Sequence, residues 1–129
     1  MITSSEPIVV AGPAKPETVA LLRSVAASVA ARRGMDVVAI EEFRIAVDEA
    51  ATLLLLGGKA ARLEMSLLST PGEGIQVRVR TDIDGSAFHI DRATSWPWRV
   101  IRQLTRGAEL TVDGAGAQVA FVVRQGPEA

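Results

Sequence analysis

Apolar residues recur at three- and four-residue spacing in two early stretches of the chain and alternate with polar ones in two later stretches. From Pro16, the residues Val19, Leu22, Ala26 and Val29 mark one face of a first helix. Pro16 and Glu17 suit its opening turn, and Arg32-Arg33-Gly34 supplies a basic last turn and a stop. Asp36 is placed to cap a second helix, whose stripe runs through Ile40, Phe43, Val47, Ala50 and Leu54 until Gly57-Gly58 breaks it. Leu63, Met65 and Leu67 then alternate with Arg62, Glu64 and Ser66, the chain turns at Pro71-Gly72-Glu73-Gly74, and Ile75, Val77 and Val79 alternate with Gln76, Arg78 and Arg80. This predicts a hairpin with one buried and one wet face. Ahead of the helices, Ile8-Val9-Val10, closed by Gly12-Pro13, predicts a first or edge strand. Residues 81–93 hold no sustained period and read as a loop with room for one turn of structure. Thr94 or Ser95 caps a short helix with Trp98, Ile101 and Leu104 on one face and Gly107 as its end. The tail predicts a second hairpin: residues 109–113, a turn at Gly114-Ala115-Gly116, and residues 118–124 with Val119, Phe121 and Val123 pointing inward.

Antiparallel hairpins with helices collected on one face make an α+β two-layer sandwich. A chain of 129 residues holds a single domain, 1–129, with its core over about 7–125. Fourteen basic and fifteen acidic side chains give a net charge of -1, so electrostatics give no case for a dedicated nucleic-acid binder. The absence of cysteine excludes disulfide scaffolds, thiolate zinc sites and cysteine nucleophiles. Met1 to Pro7 lacks the basic and apolar regions of a signal peptide, and the charge-free stretch from Ala50 to Gly58 is far shorter than the roughly 20 residues of a membrane span. A cytoplasmic protein with no membrane partner is expected.

Candidate chemistry is sparse. His89 stands alone in a polar loop, which fits a surface residue better than a metal ligand. Asp82, Asp84 and Asp91 lack the glycine and terminal glutamate of a calcium loop, and no metal site is expected. Gly57-Gly58-Lys59 follows a helix and lacks the earlier glycine of a phosphate loop, while Gly114-Ala115-Gly116 fits a hairpin turn. The second helix is more informative, because Asp48 and Glu49 fall together on an otherwise apolar element, with Glu49 within about 60° of the buried stripe at 100° per residue. An acid at such a boundary needs a partner or a ligand. Arg44 or Arg23 could be that partner.

The string Ala46-Val47-Asp48-Glu49-Ala50-Ala51-Thr52-Leu53 resembles the first nucleotide motif of the anti-sigma factor serine kinases, small regulators of the GHKL ATPase superfamily. The likeness extends to element order, length and an arginine on the first helix, Arg23, and covers roughly residues 7–125. It implies a histidine-kinase-like ATPase fold with a mixed, mainly antiparallel sheet. It also implies nucleotide contacts at Glu49, Thr52, Leu53, Asp82, Asp84 and Gly85, with Glu49 in the position of the general base. Departures from the family pattern fall at all three motifs. Leu53 stands where the family has the asparagine that coordinates magnesium, and an isobutyl group supplies no oxygen ligand. Asp82-Ile83-Asp84-Gly85-Ser86 is out of register with the second motif, Asp-x-Gly-x-Gly. The third, a glycine-rich helix start that offers N–H groups to phosphate, is replaced by Ser95-Trp96-Pro97-Trp98, in which Pro97 has no N–H to donate.

The resemblance with these departures implies a vestigial general base at Glu49 and no resident cofactor. It implies a regulator that sequesters a sigma factor of RNA polymerase, is released by a STAS-domain antagonist and forms a homodimer. The alternatives are an active kinase that phosphorylates the STAS antagonist with Mg-ATP, and a binding module of the same fold with an unrelated client. Arg23 carries over as the shared partner contact, since a guanidinium is a forked, permanent donor to carboxylates. It could equally pair with Glu49 or Glu17. Trp98 is expected to fill the vacated nucleotide cavity, and Trp96 either does the same or forms a partner hot spot.

Overall fold

The computed structural model describes residues 6–124. The order is β1 (Ile8–Pro13), α1 (Pro16–Arg32), α2 (Val37–Leu56), β2 (Arg62–Thr70), β3 (Gly74–Thr81), a 3-10 turn (Gly85–Ala87), α3 (Trp96–Leu104), β4 (Arg106–Asp113) and β5 (Gly116–Val123). The strands form one sheet in the order β1-β2-β3-β5-β4. Every neighbouring pair is antiparallel. This corrects the expectation of a mixed sheet. The path from β3 through the 3-10 turn and α3 enters β4 on the outer edge, and the tight β4–β5 hairpin returns β5 against β3, so no parallel pair forms.

Local chemistry fixes the ends of the helices. Pro16 opens α1, and its end is closed by Gly34 at φ 78, with the Gly34 N–H donating to the Ala31 carbonyl and the Met35 N–H to that of Ala30. That double bond is the glycine-dependent cap in which a left-handed residue satisfies the last carbonyls. Asp36 caps α2 by accepting from the Ala39 N–H at 2.8 Å, and Ser95 caps α3 by accepting from the Trp98 N–H at 3.2 Å. The short helix ends earlier than the position of Gly107 suggests. Thr105 leaves it in extended backbone and its hydroxyl donates back to the Ile101 carbonyl at 2.7 Å. Gly107, at φ 62, instead lies in β4 where the register with β5 shifts between Arg106 and Glu109. A left-handed glycine at a bulge of this kind re-aims the strand without a Cβ clash.

One face of the sheet and one stripe of each helix share the core. Leu63, Met65, Leu67, Ile75, Val77, Val79, Val119 and Phe121 come from the sheet, and Leu22, Phe43, Val47, Leu53, Leu54, Trp98 and Ile101 from the helices. Strand alternation puts Glu64, Ser66, Arg78, Arg80 and Gln118 on the other face, which no helix among the described residues covers. Among the described residues no helix is long and apolar enough to cross a membrane.

Candidate functional site

α1 and α2 run as a hairpin, bridged by the pair between the Arg23 Nη1, which donates, and the Asp48 Oδ1 at 3.0 Å. Both side chains are a little over a third exposed, at 39% and 36%. Arg44 pairs instead with Glu41, three residues earlier on its own helix, at 3.3 Å. Arg23 therefore meets neither Glu49 nor Glu17. The 100° step along the helix explains this: Asp48 faces α1, whereas Glu49 is turned one step away.

Glu49 is half-buried and, among the described residues, makes no side-chain hydrogen bond or ion pair. Its proton affinity is raised above the ordinary glutamate value, chiefly by desolvation and then by the neighbouring Asp48 charge. Thr52 is likewise half-buried, whereas Leu53, one turn on from Glu49, is wholly buried with Leu54, Ala50 and Ala46 in the core. The position at which the resemblance expects an oxygen ligand for magnesium thus faces hydrocarbon.

The loop that follows β3 uses its acids on its own backbone. Asp82 accepts from the N–H groups of Ala61 and Arg62, both at 3.0 Å, pinning the start of β2. The hydrogen bond from the Arg62 N–H is the main reason its carboxyl is held below the ordinary aspartate value. Asp84 accepts from the Ser86 N–H and hydroxyl and so caps the 3-10 turn. Asp91 accepts from the Ala93 N–H. No hydrogen bond joins Glu49 or Thr52 to Asp82 or Asp84 among the described residues. His89 is exposed, and no group of three or more His, Asp or Glu side chains among the described residues could hold a metal ion.

Close packing locks this loop to the end of α2 and to the tail hairpin. A Cβ on Gly57 would come within 2.0 Å of the Phe88 ring, and one on Gly58 within 2.1 Å of the Ile83 Cδ1. The His89 N–H donates to the Gly57 carbonyl at 3.0 Å. Gly85 lies so close to the β4–β5 turn that a Cβ would sit 1.9 Å from the Asp113 carbonyl oxygen. Gly57-Gly58 therefore does more than stop a helix: the absence of two side chains admits Ile83 and Phe88. Sequence reasoning missed these two plugs, although apolar Ile83, Phe88 and Ile90 in an aperiodic loop were the available signal.

Two open grooves border α3, and another lies along the loop before it. One of about 380 Å³ lies along residues 88–93, Leu110 and Val112. A second of about 360 Å³ is lined by Arg92, Ala93, Trp98, Arg99, Arg102 and Gln103. A third of about 490 Å³ lies between the start of α2 and the end of α3. Glu49 lines none of the three. Trp98 is buried at 8% exposure, whereas Trp96 is 64% exposed at the start of α3. Trp96 therefore fills no cavity. Compared with models of known protein families and with curated proteins, the chain matches none.

Proposed function

We propose that the chain is a protein-binding regulator of the anti-sigma type, built on a GHKL-like scaffold and working without nucleotide chemistry. The observation that carries this reading is the Asp48-Glu49-Ala50-Ala51-Thr52 string on α2, with Arg23 of α1 held at its side and Leu53 turned into the core. The residues at the family's nucleotide positions do not fit a magnesium-bound nucleotide. Leu53 brings no oxygen, Asp82 and Asp84 already serve backbone N–H groups, Gly85 abuts the tail hairpin, and Pro97 has no N–H to offer phosphate. The wholly antiparallel sheet is a further departure from the mixed sheet of the resemblance.

On this reading the chain captures a sigma factor in its homodimeric form and yields it to a STAS-domain antagonist by competing affinity. Arg23 is the contact proposed for both partners. Its pair with Asp48 is solvent-screened and contributes at most about 1 kcal/mol, so exchanging it for a partner carboxylate costs little. Titration of a purified sigma factor tests this: binding should be unchanged by Mg-ATP and weakened by about tenfold or more in Arg23→Ala. Binding that requires Mg-ATP, or that ignores Arg23, contradicts it.

One observation favours a second reading. Glu49 is a half-buried carboxylate with raised proton affinity and no partner among the described residues, which is the state of a general base awaiting a substrate. An active kinase acting on the STAS antagonist would lose turnover in Glu49→Ala while keeping its fold.

A further inference from the structure

The segment around α3 is rich in arginine and free of acids. Residues 92–108 contain four arginines, Arg92, Arg99, Arg102 and Arg106, and no acid, in a protein whose net charge is -1. The groove of about 360 Å³ beside α3 is lined by three of them and by no acidic side chain. Arg92 is anchored: its Nη2 donates to the Leu110 carbonyl at 2.8 Å, which fixes one edge of the guanidinium and leaves the rest toward the groove. Arg99 and Arg102, one turn apart and exposed, make no side-chain hydrogen bond or ion pair among the described residues. Arg102 lies in the last turn, where the helix dipole favours a cation, but Arg99 lies mid-helix and gains nothing from it. Like charges at this spacing repel. Trp96, three residues before Arg99 and 64% exposed, extends the same stripe with an indole.

We propose that this stripe, Trp96, Arg99 and Arg102 with Arg92 across the groove, is a docking surface for a short acidic peptide segment of a partner protein. Guanidinium forks take carboxylates in pairs, and the indole supplies apolar contact area at low entropic cost. The patch is only as long as a nine-residue helix, roughly 13 Å at 1.5 Å per residue, and Asp36 and Glu42 line the adjoining groove at the end of α3. Those dimensions suit a few carboxylates on a peptide and not the continuous phosphate backbone of a duplex. The inference stands apart from the sigma-factor reading, because an acidic segment on any client would engage the stripe.

The test uses the full chain and a fluorescein-labelled peptide of about 12 residues, rich in Asp and Glu, with its Asn/Gln counterpart and a short DNA duplex as competitors. Saturable anisotropy should appear with the acidic peptide alone, quench Trp96 fluorescence and weaken with salt. It should fall about tenfold or more in the double variant Arg99→Gln, Arg102→Gln at unchanged melting temperature. The same charge loss on the open sheet face, Arg78→Gln with Arg80→Gln, should leave it intact. No saturable binding, equal loss in the sheet-face variant, or tighter binding of the duplex than of the peptide would overturn the proposal.

Discussion

The middle and the end of α2 meet their surroundings in opposite ways. At Asp48 and Glu49 the helix keeps polar groups half-exposed and thinly bonded, with one screened pair to Arg23 and one carboxylate that has no partner among the described residues. Two turns later, Gly57 and Gly58 give up their side chains so that Phe88 and Ile83 can close the space over them. A carboxylate in the first region can be replaced cheaply, because water already shares it. An added methyl in the second must displace Phe88 or Ile83. Strength of packing and availability for a partner are thus divided along a single helix.

Substitutions at the closed end should break this contrast most severely. Gly85→Ala would place a methyl against the Asp113 carbonyl, a backbone atom that cannot swing aside, and should cost roughly 3 kcal/mol by urea unfolding. Gly57→Ala meets the Phe88 ring, which can rotate outward at the expense of its burial. A loss of about 1 to 2 kcal/mol is expected, with faster amide exchange at His89, whose N–H holds the Gly57 carbonyl.

Thr81 sharpens the comparison in the other direction. Its hydroxyl is buried at the end of β3 without a hydrogen-bond partner among the described residues, so Thr81→Val should raise stability by about 1 kcal/mol.

The smallest effects belong to the two shifted carboxyls, and they have opposite signs. The folded protein holds the Glu49 proton more tightly than the unfolded chain does, so ionised Glu49 opposes folding at neutral pH. That penalty is relieved as pH falls through the raised folded value toward the ordinary one. Glu49→Gln should therefore stabilise the neutral protein by less than about 1 kcal/mol, since solvent screens a half-buried group, and should remove this part of the pH dependence. Asp82 behaves in reverse. Its contribution is present above the ordinary aspartate value and is lost as pH falls toward its lowered folded value, so Asp82→Asn should matter at neutral pH, by no more than about 1 kcal/mol, and vanish in acid. Melting curves across pH for both variants check the signs.

Much of this arrangement was legible in the sequence. The two long helices carried marked starts and glycine stops, and β2, β3 and β5 showed alternation, so their periods left no rival assignment, whereas β1 and β4 were read from a β-branched run and a flanking turn. What the sequence hid was set by tertiary contact. Gly107 reads as a helix stop, yet its left-handed backbone serves a bulge in β4, a use that depends on the register with β5. Arg23 had three acids within chemical reach, and only the rotation of α2 against α1 selected Asp48. Asp82 and Asp84 look like ligands in a string, but acids in a loop bind the nearest N–H groups, and which ones lie near is decided by where β2 begins. The groove arginines were visible as residues, while their convergence on one groove with no acid in its lining became visible only once α3 was in place.

The central claim is that the scaffold acts by surface contact and not through a nucleotide, and calorimetric titration of Mg-ATP and Mg-ADP into the purified protein tests it most directly, with melting curves alongside. A ligand at 100 times its dissociation constant would add about 2.7 kcal/mol to stability. The account predicts no heat of binding and no shift in melting temperature with either nucleotide. Saturable binding in the micromolar range, with a melting shift abolished by Glu49→Ala, would contradict it and make phosphorylation of a STAS-domain partner the activity to measure.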